Sequence, residues 1–202
     1  LRTVGHHVRE PLLIQGRRPD AADLTAQLTA VGIPEAATRL GQHPHQWSGG
    51  MLQRATIVAG TQLSPLVTLA DEPTSALDAD LADNVLSTLR ARSRAVLFVT
   101  HDLALAAAHA DRILVMHEGR IVEEGDRRRI YDRPQHPYTR KLMAAVPVAD
   151  PSHHRPQRVL LSDDIPSNIR KRGEEFSPVS LQQVGPGHYV ARGQPENALS
   201  RL

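Results

Sequence analysis

Two short apolar runs, each ending in ionisable residues and separated by an amphipathic stretch, constrain this chain more than anything else in it. Leu66 to Ala70 runs into Asp71 and Glu72, and Ala95 to Thr100 runs into His101. Between them, Asp78 to Arg92 places Leu81, Val85, Leu86 and Leu89 on one helical face. Strand, helix and strand in that order make a βαβ unit, whose strands lie parallel and are expected to be buried. The fold class is therefore α/β. The acids and the histidine fall at the C-terminal strand ends, where open α/β sheets place their chemistry.

Other elements follow from local chemistry. Asp20 is a candidate N-cap for a helix carrying Leu24, Leu28 and Val31 on one face, stopped by Gly32 and Pro34. A turn-rich segment, GQHPHQWSGG, feeds a second helix that begins at Gly49 and Gly50 and turns Leu52, Ile57 and Val58 inward. Leu103 to His109 is a further short helix, and RILVMHEGRIVEEG predicts a hairpin around Glu118 and Gly119. Beyond about Arg133 prolines and histidines become frequent and apolar periodicity fades, apart from a helix-like Thr139 to Val146. Residues 150 to 202 read as loosely folded. The boundary is expected near Tyr131 to His136, dividing the chain into residues 1–133 and 134–202, with a helical subdomain over about 15–60.

Composition narrows the function classes. A net charge of +2, with arginines scattered among acids, does not imply nucleic acid. The chain has no cysteine, so disulfides, cysteine metal sites and iron–sulfur clusters are excluded. No apolar run approaches the roughly 20 residues of a membrane span and no signal peptide opens the chain. A soluble intracellular protein is expected, with membrane contact through a partner. His153, His154 and His188 could be offered as metal ligands, but histidines in such a tail are expected to be solvated.

Three segments carry chemistry. Ser48, Gly49 and Gly50 open a helix whose free N–H groups and partial charge of roughly +0.5 favour an anion such as phosphate. Glycines let the backbone come close, and the Ser48 hydroxyl can donate to a phosphate oxygen. Alone, this triplet reads as a plain turn. Asp71 and Glu72 suit a magnesium–nucleotide site, Asp71 on the metal and Glu72 polarising the attacking water. Two acids solvated at a strand end is the simpler reading of the pair alone. His101 could reach a γ-phosphate, and alone it is an ordinary hydrogen-bonded histidine.

Their order changes the weighing. WSGGMLQR, then LVTLADEPTSALD, then VLFVTHDL resembles the signature motif, Walker B, D-loop and switch histidine of ABC transporter ATP-binding subunits. The signature resembles LSGGQ, with Trp47 at the usual Leu and Met51 at the usual Gln position. GRIVEEG and YDRPQHPYTRKLMAAVP resemble the C-terminal part of ATPases serving oligopeptide, dipeptide and nickel permeases. IPS and GPGHYVA continue the likeness, although Arg192 stands where many relatives carry a cysteine.

The resemblance implies a partial P-loop, RecA-like nucleotide-binding domain with a helical subdomain and an irregular C-terminal extension. It implies ATP and Mg²⁺ as ligands, with Asp71 holding the metal, Glu72 as general base and His101 as switch. Ser48, Gly49, Gly50 and Met51 would face the ATP of an opposite subunit, and Asp78 would lie in the D-loop contact. The implied partners are a second ABC ATPase and transmembrane permease subunits at the cytoplasmic face of the cell membrane. No G-x-x-x-x-G-K-[S/T] occurs among the 202 residues. The likeness begins just after the family's Q-loop, so the phosphate loop and first strands are expected upstream of Leu1, with open sheet edges and uncovered apolar surface in what remains. The expected activity is ATP-driven peptide import; alternatives are a non-catalytic module lending its signature to a partner, or an inactive fragment.

Overall fold

A computed structural model describes residues 1–75, 77–145 and 180–192. The chain divides into two compact units, 1–105 and 106–202.

The first unit opens with α1 (Val4–Ile14), capped by Thr3, whose hydroxyl accepts from the His6 N–H. Asp20 caps α2 (Ala21–Ala30) as expected, accepting from Ala22 N–H at 3.1 Å. Gly32 ends that region with φ +75°, and a Cβ there would meet a Leu81 methyl at 2.6 Å. Only glycine fits both the left-handed backbone and the space. A short α3 (Ala36–Arg39) and a 3-10 turn (Pro44–Gln46) lead to α4 (Gly49–Thr61). Val4 and Val8 from α1, Leu24 and Leu28 from α2, Val31, Ile33, Trp47 and Val58 form one buried cluster. Helix α1 had no counterpart in the sequence reading: Pro11 lies inside it and masks the pattern.

Strands β1 (Val67–Asp71) and β2 (Ala95–Val99) pair in parallel, Val67 opposite Ala95 through Asp71 opposite Val99, with α5 (Ala79–Arg92) connecting them. The expected βαβ unit is present. Val85, Leu86 and Leu89 of α5 pack on Ala70, Val96 and Phe98. The strands are not buried on both sides as the βαβ reading expects; one face is the uncovered apolar surface that the resemblance implies. Their other face carries Val67, Leu69, Leu97 and Val99, all exposed, Leu69 by 75%. Strand side chains alternate between faces, and α5 covers one face only.

Helix α6 (Leu103–His109) carries the chain from the first unit into the second, where β3 (Arg112–His117) pairs antiparallel with β4 (Arg120–Asp126). Glu118 and Gly119 turn the hairpin with φ +46° and +77°, the paired positive angles that match strand twist. Asp126 caps α7 (Arg127–Asp132), and α8 (Pro137–Ala144) starts with proline in its first turn. The tail departs from expectation. Ser180–Gly185 (β5) and His188–Arg192 (β6) form a second hairpin, and β6 pairs with β4, giving a four-stranded sheet in the order β3-β4-β6-β5. Gly187, at φ +64°, permits its turn, while Val190 and Ala191 are buried beside it. A five-residue strand with a glycine turn is a weak signal inside a polar tail.

Candidate nucleotide site

Backbone geometry sets out Asp71 and Glu72. Asp71 is the last residue of β1, and its side chain is exposed. Glu72 then turns the chain with φ +46°, uncommon for a side-chain-bearing residue. Its N–H donates to the Val99 carbonyl of β2 at 3.0 Å, and its carbonyl accepts from the Ser75 N–H at 3.3 Å. The carboxylate meets the ring of His101: Nδ1 lies 2.9 Å from Oε1. The parallel register of β1 and β2 brings these ends together. His101 is held with a pKa above the ordinary imidazole value by its hydrogen bond to Glu72 and the attraction of that carboxylate, with smaller help from Asp102. Its side chain is 82% exposed and that of Glu72 35%, so both are open to solvent and to a ligand.

The helix start at Ser48, Gly49 and Gly50 forms where expected. Ser48 caps α4, its Oγ accepting from Met51 N–H at 3.3 Å, which leaves the hydroxyl proton free to donate. Trp47 anchors the loop from below, buried in the helical cluster. A Cβ on Gly49 would meet nothing within 4 Å. Neither packing nor a positive φ requires glycine at that position. Asp78 caps α5, accepting from Leu81 N–H at 3.0 Å.

Two residues of α4 make contacts that the motifs do not assign. Arg54 is buried, donating from Nη1 to the carbonyls of Val31 (3.2 Å) and Gly32 (3.0 Å) and from Nε to Gly50 (3.0 Å). It closes the C-terminal end of α2 and ties it to the start of α4. Burial pulls its pKa below the usual guanidinium value, opposed by the charge of Asp78. Gln53 donates from Nε2 to the main-chain carbonyl of Glu72 at 2.9 Å. The available signal was two adjacent long polar residues inside an otherwise apolar helix face.

The second unit holds a different Glu–His pair. Glu123 of β4 is fully buried and accepts from the N–H groups of Gln135 (2.8 Å) and His136 (2.9 Å) and from His188 Nε2 (2.7 Å). Burial works to raise its pKa, but the two backbone donors and the side-chain donors outweigh it and hold the carboxyl below the usual range. His188, expected to be solvated, is therefore a buried partner of Glu123. His153 and His154 lie outside the described residues.

The chain is similar to known proteins in sequence and in fold. The family described as "Oligopeptide/dipeptide transporter, C-terminal region" matches residues 122–177. The glutathione import ATP-binding protein GsiA of Salmonella typhimurium is 54% identical over 208 aligned residues, covering 99% of this chain and 33% of that protein. Its Escherichia coli K12 counterpart is 51% identical, covering 98% and 33%. The chain thus spans about a third of the length of these relatives. Among solved structures, a dimeric ATP-binding cassette in a post-hydrolysis state bound to ADP and Pi superposes with a TM-score of 0.54 at 27% identity, covering 63% of this chain and 58% of the other. A bacterial Atm1-family ABC exporter with ATP bound gives 0.54 at 26%, covering 71% and 26%. The chain is thus similar over nearly its whole length to ATP-binding proteins of import systems, over residues 122–177 to the C-terminal region of oligopeptide/dipeptide transporters, and in fold to ABC ATP-binding cassettes.

Proposed function

We propose that this chain forms part of an ATPase that drives peptide import, with Glu72 as the general base for ATP hydrolysis. The observation that carries this reading is the Glu72 carboxylate standing at the C-terminal strand edge with one oxygen on His101 and the other open. In the proposed step that carboxylate takes a proton from water as the water oxygen bonds to the γ-phosphorus and the bond to the ADP oxygen breaks. His101 steadies the carboxylate and responds to the γ-phosphate. The exposed carboxylate of Asp71 fits a hard cation; Mg²⁺ held there would neutralise phosphate charge.

Ser48, the N–H groups of Gly49 and Gly50, and Met51 supply an anion-binding face for the ATP of a second ATPase subunit. Asp78 belongs to the loop that meets that subunit. Relatives named for glutathione import keep the cargo within the peptide class. Permease subunits complete the assembly at the cytoplasmic face of the membrane. No described helix is long and apolar enough to cross a membrane.

Glu72→Gln in the assembled transporter is expected to lower steady-state ATP turnover by at least about 100-fold while ATP-dependent subunit association persists. An unchanged steady-state rate removes Glu72 as the base.

A second reading draws on the missing G-x-x-x-x-G-K-[S/T] motif among the 202 residues: the chain lends its signature loop to a partner that owns a phosphate loop. Under it, Ser48→Arg abolishes ATP-dependent pairing; intact pairing in that variant rules it out.

A further inference from the structure

We propose that Gln53 is a positioning residue for the Glu72 base, locking its backbone in the left-handed conformation and tying it to the helix that carries the signature loop. This rests on the reading of Glu72 as the base.

The two ends of Glu72 are held by different elements. Its N–H is fixed on Val99 of β2 at 3.0 Å, on one side of the φ bond. Its carbonyl, on the other side, accepts from Gln53 Nε2 at 2.9 Å and from Ser75 N–H at 3.3 Å. Relaxing φ from +46° toward the ordinary negative range swings that carbonyl off Gln53. A non-glycine residue in this region persists only where its surroundings over-determine it. Gln53 supplies that constraint, and the side chain of Glu72 moves with the same Cα.

The second consequence is mechanical. Helix α4 is capped by Ser48, so one rigid element presents its N-terminus to an anion and, just over one turn later, grips the backbone of Glu72. Arg54, the next residue, anchors that helix to the end of α2 through the Val31 and Gly32 carbonyls. An anion that shifts α4 therefore shifts Glu72 with it. In a pair of such subunits, where signature loop and base face different nucleotides, Gln53 links the two sites within one chain.

Gln53→Met keeps the length and removes the donor; Gln53→Glu keeps the shape and places an acceptor against a carbonyl. In the assembled transporter both are expected to lower kcat for ATP about ten- to a hundredfold, the scale of a misplaced catalytic group. KM for ATP should stay within about twofold and the melting temperature within a few degrees. Single-turnover rates in a Glu72→Gln background should show no further loss on adding Gln53→Met, because both changes act on one group. Wild-type kcat in Gln53→Glu and Gln53→Met, with Glu72→Gln still inactive, overturns the tether and leaves the base standing. A Glu72→Gln protein with full turnover removes the base itself. A multiplicative loss in the double variant also overturns the proposal, since Gln53 then acts elsewhere.

Discussion

Each unit of this protein contains a glutamate hydrogen-bonded to a histidine at under 3 Å, yet the two pairs sit in opposite surroundings. Glu72–His101 is 2.9 Å apart with side chains 35% and 82% exposed; Glu123–His188 is 2.7 Å apart with side chains 0% and 6% exposed. The first carboxylate has an oxygen left over and a route to solvent. The second is surrounded by donors from β6 and from the N-terminus of α8, so it can only hold those segments together. Identical functional groups are available for chemistry or committed to architecture according to how much water they keep.

The comparison is broken most forcefully by Glu123→Ala. It leaves His188 and the His136 N–H buried, and the Gln135 N–H partly buried, without their acceptor, and should cost about 3–5 kcal/mol, the scale of removing one partner from a buried pair. Hydrogen exchange at amides of β6 and α8 is the readout; Glu72→Gln should leave those amides protected. Equal deprotection in both variants would erase the distinction between the two pairs. His188→Phe is the milder cut, because Glu123 keeps its two backbone donors. About 1–3 kcal/mol is expected, measured by denaturant unfolding.

Acid sharpens the same contrast. The pKa of Glu123 is depressed in the folded state, so its contribution is fully present above the ordinary carboxylate value and is lost as pH falls through the lower, folded one. Exchange protection in β4, β6 and α8 should therefore drop at pH below the usual carboxylate range, and Glu123→Gln should flatten that dependence. The smallest effect belongs to His101. Its raised pKa means the pairing with Glu72 is present below the ordinary histidine value and fades as pH rises through the elevated one. An NMR titration should place the His101 midpoint above that of a free imidazole and return it toward normal in Glu72→Gln. No shift between the two proteins would show that the carboxylate is not its partner.

Legibility followed the range of the interactions concerned. The caps at Asp20, Ser48 and Asp78 are local, set by one side chain and an N–H two or three residues on; all three positions were expected as helix starts, and Asp20 as a cap. The Glu118–Gly119 turn is likewise a matter of adjacent dihedrals. The β5–β6 hairpin was missed because what secures it is a distant strand: β6 pairs through Tyr189 and Val190 with Glu124 and Glu123. His188 was expected in water for the same reason. Gln53 and Arg54 sat in full view within the signature stretch, but their acceptors are carbonyls of Glu72, Val31 and Gly32, which no spacing rule brings near.

By itself the sequence determined the βαβ unit, the order of signature, acidic strand end and histidine, the exclusion of cysteine ligands, and the likeness to importer ATPases. Periodicity, capping and motif order are properties of neighbouring residues, and neighbouring residues suffice to read them. Only the tertiary structure decided that Glu72 meets His101, that Gln53 grips the backbone of Glu72, and that Glu123 is sealed against His188. Each of these depends on strand register or helix packing between residues far apart in the chain, and burial, which sets the behaviour of a carboxylate, exists only once the chain has folded.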